Sequence, residues 1–273
     1  MELFGFFQYE FMWRAVLAGT FIAVVCSILG VLLVLRRLSL IGDGLAHVTF
    51  GSVAIGLLLK QHPVYLSIPI VMASSLGIMK LTEKARVYGD AAIGIVSSLG
   101  IAGGIIIASV AGGFNIDIFS FLFGSILAIS RTEVLTSIAL SLIVFLVILL
   151  FYHEHFSTAF DEEFAKISGI DTGRINAILV LLTAITVVLA MKIVGIMLTS
   201  SLLILPPVTA LQVARSFRSA LVVSSLCGVA SVVAGISLSF MLNLPTGATI
   251  VMVSFLLFLS AYASKSLWHS RHQ

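Results

Sequence analysis

Asp43 and His47 lie four residues apart in Leu40-Ile41-Gly42-Asp43-Gly44-Leu45-Ala46-His47. On an α-helix that spacing stacks the two side chains on one face. A carboxylate and an imidazole held this way can grip one divalent metal ion. The pair suits Zn²⁺, Mn²⁺ or Fe²⁺ better than Ca²⁺ or Mg²⁺, which prefer all-oxygen shells. Two ligands do not close a site, but a homodimer with its two-fold axis along a pore would bring four together. The competing reading is local: Asp43 caps the helix N-terminus and His47 hydrogen-bonds to it.

Other ionisable residues carry less. His153-Glu154-His155 are consecutive, do not share a helix face, and read as a solvated helix end. His62 belongs to an exposed turn, His269 and His272 to a polar tail, and Asn115 and Asp117 to a loop. Lys192 falls in a tight hairpin, from which its side chain snorkels to the interface. Pro206-Pro207 lies inside an apolar segment and is expected to break that helix and free backbone carbonyls. No GxxxxGK[ST], HExxH, GxSxG or spaced Cys/His pattern occurs, so ATP hydrolysis through a P-loop and the common hydrolase chemistries are not expected of this chain.

The elements that must position the pair are membrane helices. The sequence is 60% hydrophobic and 10% charged, with a mean hydropathy of +1.20, which indicates a polytopic membrane protein. Its net charge of +3 gives no support for a nucleic-acid partner. Cys26 and Cys227 sit apart in apolar stretches and read as small core residues. No cleavable signal peptide is expected. Apolar segments run at about 15–35, 44–59, 63–79, 91–114, 134–152, 175–191, 193–214 and 219–264, the last divided at Asn243-Leu244-Pro245-Thr246-Gly247. The expectation is an all-α polytopic bundle of eight or nine spans, forming a single domain over 1–273. Ile118–Ser130 is too short to span and is expected to be re-entrant.

With the N-terminus outside and nine spans, the inner loops hold Arg36, Arg37, Lys80, Lys84, Arg86, Lys166, Arg174, Arg215, Arg218, Lys265 and Arg271. The outer ones hold only Arg14, Lys60, Arg131 and Lys192. This bias puts the C-terminus in the cytoplasm. The longest polar stretch, His153–Arg174, falls on the cytoplasmic side. Within it Phe160, Asp161, Glu162, Glu163, Phe164 and Ile167, with Gly169 as a stop, predict a short amphipathic helix with an acidic first turn. It is either a connector lying on the membrane surface or a docking element for a soluble partner.

Four stretches together resemble the membrane-spanning permease subunit of metal-uptake ABC transporters, of the zinc/manganese/iron class. They are Gly42-Asp43-Gly44-Leu45-Ala46-His47 with Gly51; Phe121-Leu122-Phe123-Gly124-Ser125-Ile126-Leu127-Ala128; Glu162-Glu163-Phe164-Ala165 through Gly169-Ile170; and Ala190-Met191-Lys192-Ile193-Val194-Gly195 running to Pro206-Pro207-Val208-Thr209-Ala210. Departures are Gly44 where Thr or Ala is common, Ser125 where Asp is common, and Pro207-Val208 where Ala-Ala is common. The pattern is most similar to zinc-uptake permeases. The resemblance implies a multi-pass protein of the cell membrane and a homodimer. It also implies two copies of a cytoplasmic ATP-binding subunit and an extracellular metal-binding protein. Asp43 and His47 match positions proposed to line the metal path, and Phe160–Ile170 the coupling helix. No permanently bound cofactor is implied; zinc, or else manganese or iron, is the cargo. The alternatives are a permease for a metal chelate and an intramembrane enzyme.

Overall fold

Long apolar runs without partners for their backbone must become helices in lipid, and the computed structural model follows that rule. It describes residues 10–83, 85, 87–111, 121–124, 129–191 and 193–271. Helices run α1 Glu10–Leu35, α2 Ile41–Leu58, α3 Pro63–Glu83, α4 Gly89–Val110, α5 Arg131–Leu150, α6 Tyr152–Phe160, α7 Glu162–Ile167 and α8 Thr172–Ala190. A 3₁₀ turn at Ile196–Leu198 leads into α9 Thr199–Val213, followed by α10 Phe217–Leu242 and α11 Thr246–Arg271. Among the described residues eight helices are long and apolar enough to cross a membrane, and α9 is a shorter apolar helix. The expected all-helical polytopic bundle is therefore observed. The bundle has α1 at its centre, packed on α5, α8, α9 and α10.

Cross-links sort the two ends of the bundle. Arg36, just after α1, pairs with Glu162 of α7 at 3.6 Å, and Lys265 of α11 donates to Gln212 of α9 at 3.2 Å. Phe217, opening α10, stacks against Phe156 and Phe160 of α6 at 5.1 and 6.1 Å. At the opposite end Arg131 of α5 is bonded to Glu10 of α1, and His62 pairs with Glu133 at 3.6 Å. Glu10 and Lys265 thus lie at opposite ends of the bundle.

Close approach replaces large side chains where helices meet, as expected in a lipid solvent that drives no hydrophobic association between spans. A Cβ on Gly51 would lie 2.7 Å from the Gly100 carbonyl oxygen, and one on Gly100 would lie 2.7 Å from Val48 Cα. Buried hydroxyls add links: Ser52 donates to Ser67 at 2.7 Å, and Ser224 to the Ser27 carbonyl at 3.1 Å.

The prolines depart from expectation. Pro206 and Pro207 do not break their helix; both lie within continuous α9 and are buried. Their missing N–H groups leave the Leu202 and Leu203 carbonyls without α-helical partners. The Leu203 oxygen instead lies against Gly30 of α1, where any Cβ would collide with it. Neighbouring helices thus hold α9 together. The buried turn at Ile193–Gly195 is non-helical backbone enclosed by protein. There Gly195 and Gly124, at φ of 91° and 76°, bring two chain segments into backbone contact. Of the short segment expected to be re-entrant, Phe121 and Leu122 are buried. Asn115, Asp117, Ser125 and Lys192 lie outside the described residues.

Candidate metal path and docking helix

Helix α2 positions the pair. Gly42 faces Leu203 of α9, with a would-be Cβ 2.7 Å from its Cδ1, while Gly44 and Gly51 face Ile93 and Gly100 of α4. At about 100° per residue, Asp43 and His47 fall between those two directions, on the face of α2 between its contacts with α4 and α9. That face is partly open: the Asp43 side chain is 49% exposed and that of His47 20%. His47 Nε2 lies 3.6 Å from Asp43 Oδ2, and its Nδ1 is buried without a partner.

Asp43 does not cap α2, and its contact with His47 is at ion-pair distance along the helix. The residue preceding α2 is Leu40, and no side chain caps the helix. A separation of 3.6 Å is also too long for a hydrogen bond. It matches two ligands that share one tetrahedral ion, which stand about 3.4 Å apart when each is about 2.1 Å from the metal. Among the described residues no three His, Cys, Asp or Glu side chains converge to hold a metal ion.

The depth of the pair follows from its neighbours. Leu203 touches both Gly30 of α1 and Gly42 of α2, which levels Gly42 with a point five residues before the end of α1. At 1.5 Å per residue, Asp43 lies about 9 Å in from that end and His47 about 15 Å in, along a 26-residue helix about 39 Å long. The elbow after α1 folds back before α2 begins, so the pair sits well inside the bundle although it opens its helix.

The polar loop is two helices, not one. Phe160 ends α6; Asp161 then caps α7 by accepting from the Phe164 N–H at 2.9 Å. Gly169, at φ 87°, stops it: Ile170 N–H donates to the Ala165 carbonyl at 3.0 Å and Gly169 N–H to that of Lys166 at 3.1 Å, the Schellman pattern that needs a left-handed residue. Only Ala165 of α7 is buried. Phe160 is 62% exposed, Phe164 64% and Ile167 86%, and Glu163 is exposed beside them. Lys166 pairs with Glu162 along the helix at 3.3 Å. A cavity of about 530 Å³ separates α7 from the start of α2, lined by Glu162, Lys166, Asn176, Ile41, Ile78 and Ile93 among others.

The cluster at 153–155 is corrected by the structure. It is not a solvated helix end, because the chain re-enters a helix at Tyr152 and turns His155 inward. His155 is 2% exposed, and its Nε2 is buried without a partner. Burial first, and Arg36 second, push its pKa down to about 4, against the pull of Glu154. Arg36 was legible only as one basic residue in a loop. Its side chain is 6% exposed, and the signal that could have singled it out is the acidic first turn of α7, which must be balanced from somewhere.

Relatives agree with this architecture. The chain is 32% identical over 258 residues to the manganese transport system membrane protein MntC of Listeria monocytogenes, covering 94% of this chain and 92% of the relative. It is 28% identical to the high-affinity zinc uptake system membrane protein ZnuB of Haemophilus influenzae, covering 92% and 96%. Among solved structures, PsaBC from Streptococcus pneumoniae in complex with Fab superposes with a TM-score of 0.85 at 30% identity, covering 96% of this chain and 94% of that one. The family model for the ABC 3 transport family matches residues 8–265. With nearly its whole length matched and eight spanning helices in place, this chain belongs to the ABC 3 transport family, as a multi-pass membrane permease subunit and not an enzyme.

Proposed function

We propose that this chain forms the pathway of an ATP-driven importer for a divalent first-row transition metal ion. The observation that carries the reading is the Asp43–His47 pair, 3.6 Å apart on a face of α2 that one copy leaves partly exposed. A half-exposed carboxylate inside an apolar bundle is costly in lipid. A second copy placed against that face would remove it from lipid and complete the shell with two more ligands. Zinc fits the pair, as the sequence pattern suggested. Manganese fits it as well, and the higher identity to the manganese-named relative favours manganese by a small margin.

The α7 end is the cytoplasmic one, because Arg36, Arg37, Lys80, Lys166, Arg174, Arg215, Arg218 and Lys265 gather there. Glu10 then opens α1 on the outside. Two ATP-binding subunits dock on Phe160, Phe164 and Ile167, with Asp161, Glu162, Glu163 and Gly169 shaping that helix. An extracellular metal-binding protein delivers the ion at the far end. The test is uptake of Mn²⁺ and Zn²⁺, each competed by the other, in cells carrying the partners and either Asp43→Asn or His47→Gln. Losing a ligand should cost at least the roughly 10-fold typical of outer-shell changes. Wild-type uptake at limiting metal in both variants would overturn the roles given to the pair.

A further inference from the structure

The connector between α1 and α2 is tied together by a continuous run of backbone hydrogen bonds. Leu38 N–H donates to the Leu33 carbonyl at 2.8 Å and Arg37 N–H to that of Val34 at 3.1 Å. This is again a Schellman end, but its left-handed residue is Arg37, at φ 57°. A side chain there costs roughly 1–2 kcal/mol over glycine, so the surrounding bonds must over-determine the turn. Ile41 N–H then donates to Leu38 at 3.0 Å and Gly44 N–H to Leu40 at 3.1 Å. From Leu33 to Gly44 the backbone is thus tied without a break, and it carries Asp43 in its last turn.

Arg36 projects from this elbow to Glu162 on α7, at 3.6 Å. Its side chain is almost fully buried, and its second terminal nitrogen, Nη1, finds no partner. Elsewhere the cavity of about 530 Å³ keeps the start of α2 apart from α7, so the ion pair bridges two elements that the cavity otherwise separates. The other charged and titratable groups around it are His155, Glu154 and Lys166.

We propose that Arg36 is a positioning residue: it ties the docking helix to the α1–α2 elbow, so that movement of α7 is delivered to the first turn of α2 and to Asp43. This rests on the importer reading above. The cavity gives α7 room to move towards Ile41, and the elbow passes that displacement on because its backbone bonds leave it no slack. The aromatic stack of Phe156, Phe160 and Phe217 holds α6 at the other side and would serve as the pivot.

The test is transport by the full complex, reconstituted with its ATP-binding subunits in vesicles, reading Mn²⁺ uptake and ATP hydrolysis together. Arg36→Met should leave co-purification of the ATP-binding subunit unchanged and hydrolysis within about twofold, while uptake per ATP falls about 10-fold. The exchange R36E/E162R should recover at least half of the ratio. A wild-type ratio in Arg36→Met overturns the proposal, and so does a proportional loss of both activities, which would mark a merely structural role. If Arg36→Met fails to accumulate, the exchange variant is read alone, and a ratio below half of wild type overturns it. Absence of metal uptake by the unaltered complex would instead sink the importer reading, so the two failures are distinguishable.

Discussion

Gly100→Ala is the most direct test of how the metal pair is positioned. A Cβ at Gly100 would lie 2.7 Å from Val48 Cα, 2.8 Å from Val48 N and 2.8 Å from the His47 carbonyl oxygen. Packed interiors do not tolerate such distances, and all three atoms are backbone, so no side chain can swing aside. Reaching ordinary contact requires α4 and α2 to separate by about 0.7 Å, and the backbone displaced is that of His47 itself. Overpacking of this size costs about 1–3 kcal/mol, offset by up to about 1 kcal/mol of helix propensity gained from Gly to Ala. The net loss of about 0–2 kcal/mol leaves the protein folded, whereas constellations of ligands tolerate only about 0.5 Å. The expected outcome is a melting temperature in detergent lowered by a few degrees and metal uptake at limiting Mn²⁺ or Zn²⁺ reduced at least tenfold. Gly77→Ala on α3, where nothing lies within 4 Å of the added carbon, is the control and should transport normally. Wild-type uptake by Gly100→Ala at normal abundance would refute the idea that α4 sets the position of His47.

Two further expectations follow from the cytoplasmic elements. Phe164→Asp places a charge at the exposed aromatic ring that the proposal assigns to docking; burying a Phe is worth about 1.5–3 kcal/mol, so co-purification with the ATP-binding subunit should be lost while membrane insertion persists, and unchanged co-purification would contradict the docking role. His155 is held neutral, with its pKa pushed down to about 4 mainly by burial beside Arg36, whereas the unfolded residue titrates near 6.5. The connector is therefore fully stable above about pH 6.5 and loses up to about 3 kcal/mol as pH falls towards 4. Amide exchange in α6 should accelerate over that window, and His155→Leu should flatten the dependence; an equal slope in the variant would rule His155 out as its source.

How much was legible depended on how local the signal was. The spanning helices follow from apolar runs of sufficient length, a property of each segment alone. The acidic turn and Gly169 around Phe164 likewise predict a short helix, because caps and stops act within a few residues. Three features were misread for the opposite reason. His155 looked solvated, yet α6 turns it against Arg36, more than a hundred positions away. Pro206-Pro207 looked like a break, yet α1 and its glycine accommodate the freed carbonyl. Arg36 looked like one loop charge among many, yet its partner lies on α7.

The metal pair itself divides in the same way. Sequence alone determined that Asp43 and His47 share a helix face, because 3.6 residues per turn fixes that at any depth. It also determined that such groups in an apolar chain need a reason. Only the tertiary structure showed that Asp43 does not cap α2 and that the two side chains stand 3.6 Å apart. Only it placed the pair well inside the bundle, on a partly exposed face of α2 between its contacts with α4 and α9. The physical reason is that depth and exposure are set by the neighbours a helix packs against, here Leu203, Ile93 and Gly100, and those neighbours are distant in the chain.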